Sequence, residues 1–165
     1  MNIFKSSLLA TAVMAAGTAS VFAADSTTFN VRITIVTACD VDAAAATDVD
    51  FGSVASTAVN TDNAGALNVR CTLLTPYNIA LDNGENGTSV TDRKMSDGGT
   101  NLVPYQLYRA ATRGAGDVWG ATINTDTFGG IGTGLVQNIP VYGRVPSANF
   151  PAGSYNDVVT ATIIY

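Results

Sequence analysis

The sequence predicts an all-β sandwich. Three observations carry that expectation. Short apolar runs alternate large and small or polar residues with a period of two. Clusters of Gly, Pro, Asn and Asp separate those runs at intervals typical of β domains. No stretch holds the 3.6-residue apolar period of a helix, a heptad or an internal repeat. Only 13% of residues are charged, while Gly, Thr, Asn, Ala and Val are abundant, a balance that suits strands and turns.

Residues 1–23 carry one basic residue (Lys5), an apolar run over 8–16, and small residues up to Ala23. This is the layout of a secretory signal peptide cleaved after Ala23. Thr11 and Gly17 interrupt an already short run, so no permanent membrane span is expected. Subtracting 23 from 165 residues leaves 142, enough for one domain with an ordinary core.

Residues 27–39 come next. Phe29, Val31, Ile33 and Ile35 alternate with Asn30, Arg32 and Thr34, so four large apolar side chains share one face of an extended strand. Such a row needs an apolar groove. Two readings fit: the strand closes its own domain, or it inserts into a neighbouring copy. Its place ahead of the first cysteine, and an equally apolar final strand with nothing after it, keep the second reading open.

Residues 40–48 read as an Ala-rich loop or edge segment, 49–54 as a short strand broken at Gly52, and 60–65 as a turn. In 66–74, Leu67, Val69, Cys71 and Leu73 alternate on one face, and 77–81, beyond Pro76, reads as its partner in a hairpin or a bent strand pair. Residues 87–101 are polar and Gly-rich around Arg93 and Lys94. Residues 102–109 form a strand with Val103, Tyr105 and Leu107 on one face, where Pro104 suggests an edge or a start. Residues 115–123 hold the single tryptophan, Trp119. Residues 128–134 read as a flexible loop, 136–145 as a strand containing Pro140, and 146–153 as a turn. In the last run, 154–165, Tyr155, Val159, Ala161, Ile163 and Tyr165 fall on one face of a strand.

Charge and residue chemistry narrow the function. Without the leader, seven basic residues face thirteen acidic ones, so there is no basic footprint for nucleic acid or for an anionic membrane surface. The absence of histidine removes the Ser-His-Asp and Cys-His arrangements and the commonest metal ligand. Glu85 is the only glutamate and sits in a Gly/Asn-rich turn, which leaves a carboxylate-pair hydrolase without support. No cofactor or metal is expected. Asp40, Asp42, Asp48 and Asp50 lack the spacing of a calcium loop and read as an acidic exposed edge. Asn86, Gly87 and Thr88 match a glycosylation acceptor by chance. Trp119, Tyr105, Tyr108 and Phe128 either fill the core or offer a face to a sugar ring. Phe128, Ile131 and Phe150 lie in Gly/Pro-rich loops and are candidates for contact with another subunit.

Cys39 and Cys71 are the only cysteines. In an oxidising compartment an isolated pair is most simply a disulfide, and the chain-entropy model gives a loop of that length roughly 3–4 kcal/mol. Free thiols or a two-thiolate metal site are the alternatives, the latter lacking the four ligands zinc takes.

Several features occur together: Cys39 about fifteen residues beyond the expected cleavage site, the run Pro104-Tyr105-Gln106-Leu107-Tyr108-Arg109, and Trp119-Gly120. To these the C-terminal part adds Pro140-Val141-Tyr142-Gly143, then Gly153, Tyr155 and Asp157, and Tyr165. In this combination the chain resembles the spore coat protein U domain family, which includes pilin subunits of archaic chaperone–usher pili. The resemblance spans nearly all of the chain after the leader.

It implies an incomplete immunoglobulin-like β-sandwich with one disulfide, completed by a donated strand. Residues 24–38 become the donor segment, with Phe29, Val31, Ile33 and Ile35 as plugs, and residues 39–165 the pilin domain. Cys39 begins its first strand and is bridged to Cys71 at the end of the second. Tyr155, Val159, Ala161, Ile163 and Tyr165 flank the groove. The implied partners are a periplasmic chaperone, an outer-membrane usher and neighbouring subunits in a head-to-tail homopolymer on the cell surface. The implied role is a fibre subunit for adhesion and biofilm formation, in the shaft and not at the tip. The competing expectation is a secreted monomeric module that binds carbohydrate.

Overall fold

The computed structural model describes residues 25–165, apart from the side chains of 42–45; the expected leader at 1–23 lies outside the described residues. The chain divides into two units, 1–34 and 35–165. In the first, residues 25–34 carry neither helix nor strand, and every side chain among them is exposed.

The second unit contains eight strands: β1 (Cys39–Thr47), β2 (Val59–Cys71), β3 (Pro76–Leu81), β4 (Arg93–Ser96), β5 (Leu102–Tyr108), β6 (Phe128–Ile131), β7 (Val136–Ser147) and β8 (Ala161–Ile164). They form a five-stranded sheet in the order β1-β2-β7-β5-β4 and a three-stranded sheet in the order β6-β3-β8. Every pairing is antiparallel. The all-β expectation holds, and a single 3-10 turn (Ala115–Asp117) is the one helical element among the described residues.

Between the sheets lies a core of Val69, Tyr77, Ile79, Val103, Leu107, Trp119, Ile139 and Val141, all buried. The alternation seen in the sequence produces it: in β7, Ile139, Val141, Gly143 and Val145 point inward. Pro104 and Pro140 fit because β5 and β7 pair with each other only over 106–108 and 142–144, so each proline has a strand on one side only.

Cys39 and Cys71 are directly opposite in the β1–β2 ladder and form a disulfide. Residues 40–47, read as loop or edge, belong to edge strand β1, whose register breaks between Asp42 and Thr47.

Several elements differ from expectation. Residues 60–65 are not a turn but the first half of β2, paired with β7 from Val59 opposite Ser147. Asp62 faces Arg144 there, in a two-pronged ion pair at 2.7 and 2.8 Å, so turn-type side chains serve the ladder. Residues 49–54 form no strand: Gly52 has φ +67°, its N–H donates to the Asp50 carboxylate at 2.8 Å, and the Asn63 amide donates to the Asp50 carbonyl. Residues 66–81 are not a hairpin, because β2 and β3 lie in different sheets. Leu73, beyond the end of β2, is exposed.

Residues 128–131 are strand β6 and not a flexible loop. Gly130 lies opposite Tyr77, and a Cβ there would meet the Tyr77 ring at 2.4 Å, so the glycine is what lets the ring lie across β6. The polar segment 87–101 contains strand β4. The last strand is only Ala161–Ile164; the segment before it makes one isolated β-bridge, Asn156 to Ser96, and is also held through side chains. The side-chain alternation nevertheless continues, with 155, 157, 159, 161 and 163 half-buried and 156, 158, 160 and 162 exposed.

Candidate functional site, an open groove between the sheets

The two sheets do not close on each other along the β8 side. A groove of about 1270 Å³ opens there. Its floor is the inner face of the large sheet: Leu67 of β2, Val141 and Val145 of β7, Val103, Tyr105 and Leu107 of β5, and Met95 of β4. One bank is the segment after β1, with Val49 and Phe51; the other runs from Phe150 through Tyr155 and Val159 to Ala161. Val49 and Phe51 hold their bank by lying on Gly143, where a Cβ would come within 2.5 Å of the Val49 methyl.

β8 is the end strand of its sheet, and among the described residues no strand pairs with its outer edge. The site thus offers an unpaired strand edge beside a trough whose floor is mainly apolar. That combination takes up an extended apolar segment by strand addition.

The expected groove-flanking residues divide into three groups. Tyr155, Val159 and Ala161 line the groove. Ile163 packs against the core, and Tyr165 is exposed. Phe29, Val31, Ile33 and Ile35 are 76–86% exposed.

The groove's bank is pinned by a polar cluster whose members lie far apart in the sequence. Asp157 accepts from the Tyr105 hydroxyl at 2.6 Å, from the Glu85 N–H at 3.0 Å and from the Asn86 side-chain amide at 2.9 Å. Burial, then the bond to Asp157, raises the Tyr105 pKa far above the ordinary tyrosine range, so the hydroxyl remains a donor. Behind it sits Arg93, with 0% exposure. Its guanidinium donates to the carbonyls of Asp82 (2.8 Å from Nε), Trp119 (2.8 Å), Leu81 (3.3 Å) and Val90 (3.1 Å). The third sheet-end anchor is Asp82, which accepts from the N–H groups of Gly84 (2.9 Å) and Thr160 (3.0 Å). Sequence reasoning missed Arg93 and Asp82; it read Tyr105 as an inward or aromatic-core residue and not as a partner of Asp157.

Burial alone would raise the Asp82 pKa, but the Gly84 and Thr160 bonds and the Arg93 charge hold it below the ordinary aspartate value. A folded pKa below the unfolded one contributes stability that is present above about pH 4 and lost as pH falls through the folded value. The urea midpoint of the domain is therefore expected to drop on acidification below about pH 4. Asp82→Asn should flatten that drop; an unchanged acid limb in the variant would show that Asp82 does not carry it.

The remaining candidates resolve as follows. Trp119, Tyr105 and Tyr108 are buried, and Phe128 is half-buried against Trp119 at 5.6 Å between ring centroids. They are core, and the indole N–H donates to the Ile79 carbonyl at 2.8 Å, so this set offers no stacking platform to a sugar. Of the residues expected to be exposed in loops, Phe128 and Phe150 pack on the core and only Ile131 is exposed. Among the described residues no group of three or more His, Cys, Asp or Glu side chains could hold a metal ion. No helix among them is long and apolar enough to cross a membrane.

A family model described as Spore Coat Protein U domain matches residues 25–162. The chain is 38% identical over 108 residues to Protein U of Myxococcus xanthus, covering 61% of this chain and 59% of that protein. In three dimensions it is similar to a chain of the CsuC–CsuE chaperone–tip adhesion subunit pre-assembly complex from archaic chaperone-usher Csu pili of Acinetobacter baumannii. That match has a TM-score of 0.58 at 22% identity and covers 80% of this chain and 40% of the other. This chain therefore spans well under two thirds of either relative's length. The fold is that of an immunoglobulin-like pilin domain, and the chain belongs to the Spore Coat Protein U domain family.

Proposed function

We propose that this chain is a pilus subunit that polymerises by donor-strand complementation. The observation that carries the reading is the apolar groove beside the unpaired edge of β8. The exposed row Phe29, Val31, Ile33 and Ile35 supplies a segment of matching character, with large side chains at every second position. The donor segment 24–38 of one copy places its plugs, Phe29 to Ile35, in the groove of another, and the receiving copy's own donor segment passes to the next. A contact of this kind is head-to-tail and does not close, so it builds a filament.

Before assembly the same exposed edge is a hazard, and a periplasmic chaperone covers it with a strand of its own. An outer-membrane usher then exchanges that strand for the incoming donor. The finished fibre lies on the cell surface and serves adhesion and biofilm formation. Support for a chaperone comes from the structural relative, whose complex contains one.

The reading is tested by size under mild denaturant. The full chain should run as a ladder of multiples, and a variant lacking residues 24–36 should give no ladder. A stable monomer in both cases would refute strand donation.

A further inference from the structure

Five large apolar residues are exposed at one end of the sandwich: Leu73 and Leu74 after β2, Ile131 at the end of β6, Leu135 in the loop that follows and Val136 at the start of β7, each between 60 and 76% exposed. The two loops are sewn together. The Leu74 N–H donates to the Gly132 carbonyl at 2.8 Å, the Gly132 N–H to Thr75 at 2.7 Å, and the Gly134 N–H to Cys71 at 3.0 Å. Leu74 is held at φ +64°, a conformation that glycine or asparagine adopts far more easily than leucine. The surface is thus rigid as well as apolar.

This end of the sandwich is where the donor segment joins the domain. The Thr72 N–H donates to the Ala38 carbonyl at 2.9 Å, the Ala38 N–H returns a bond to the Thr72 hydroxyl at 3.0 Å, and the Cys39 and Cys71 Cα atoms are 4.1 Å apart. Ile35, the last plug, is four residues before Cys39. Fully extended, that linker spans at most about 14 Å. A copy whose groove holds Ile35 therefore lies against this end of the donating copy.

We propose that the apolar end formed by Leu73, Leu74, Ile131, Leu135 and Val136 is a second subunit–subunit contact, seated on the receiving copy beside the mouth of its groove. The inference rests on the strand-donation reading and adds the surface that fixes one subunit against the next. Strand direction names the receiving surface. All pairings in the sheets are antiparallel, and parallel pairing is less stable per residue. A donor antiparallel to β8 ends, at Ile35, near the Tyr155 end of the groove. The rim there presents Val54, which is 48% exposed, with Phe150 and Pro151. Apolar meets apolar across the junction, and a linker of three residues, 36–38, keeps the two surfaces close.

The test is hydroxyl-radical footprinting of the wild-type polymer against the unpolymerised full chain carrying Ile33→Asp. Labelling of Leu73, Leu74, Leu135 and Val136 is expected to fall several-fold in the polymer. The double variant Leu74→Asn/Leu135→Asn, which relieves the backbone at Leu74, should still give the ladder under mild denaturant but form more flexible fibres by electron microscopy. Equal labelling in polymer and single chain, or unchanged fibre stiffness in the double variant, overturns the second contact while leaving strand donation standing. A ladder from the Ile33→Asp chain equal to wild type overturns strand donation, and the second contact with it.

Discussion

A chain carrying Ile33→Asp is expected to fold, keep its Cys39–Cys71 bridge and fail to polymerise. Ile33 is 86% exposed, so its own domain loses nothing by the change. The groove it enters is floored by Leu67, Val103, Leu107, Val141 and Val145. Burying four plugs of this size is worth roughly 6–12 kcal/mol gross, at about 1.5–3 each. Ordering the segment and joining two molecules consume part of that. Losing one plug and placing a carboxylate without a partner in the trough removes about 1.5–3 kcal/mol of burial and adds a desolvation cost of several more. Polymer yield should fall at least about a hundredfold, since each 1.4 kcal/mol is tenfold. The measurement is the ladder under mild denaturant beside a thermal melt of the monomer. Normal polymer, or a monomer that melts early, would contradict the assignment of Ile33 as a plug.

The second large effect is expected at Arg93. Replacement by methionine keeps much of the side chain's volume but removes every bond to the carbonyls of Leu81, Asp82, Val90 and Trp119. Buried acceptors left without a donor cost about 1–3 kcal/mol each. A total loss of at least about 3 kcal/mol is a large share of the 5–15 kcal/mol that holds an ordinary domain together. Lysine should rescue little, because one ammonium cannot match a planar fork spread over four carbonyls. Urea unfolding reads the loss directly, and a loss below about 1 kcal/mol would show that the cluster is incidental.

The fold was legible where side chains alternate against a single buried face. Val103, Tyr105 and Leu107 in β5, and Ile139, Val141 and Val145 in β7, were readable for that reason. It was not legible where pairing overrides local chemistry. Asn60, Asp62 and Asn63 are turn residues by type, yet a long neighbour in β7 and the Arg144 guanidinium recruit them into β2. The Gly129-Gly130 pair in β6 reads as flexibility, whereas Gly130 makes room for the Tyr77 ring. β4 has no apolar period because one of its two inward residues is Arg93, whose burial depends on carbonyls up to 26 residues away. The polar cluster was unreadable for the same reason: Tyr105 and Asp157 are 52 residues apart, and nothing in either neighbourhood points to the other. The floor of the groove was visible as apolar alternation. Its opening entered only through the family resemblance, since an open edge is a property of which strands are neighbours.

In the proposed fibre the Cys39–Cys71 disulfide has a mechanical consequence. When such a fibre is pulled from both ends, tension enters each domain through Ala38 and Cys39. Edge strand β1 has a broken register between Asp42 and Thr47 and would peel away if it took that pull alone. The sulfur bridge diverts the pull to Cys71 at the end of β2, whose ladder with β7 runs from Val59 to Arg70. The force then runs along the two longest strands and loads their rungs together, as shear, instead of unzipping them in turn.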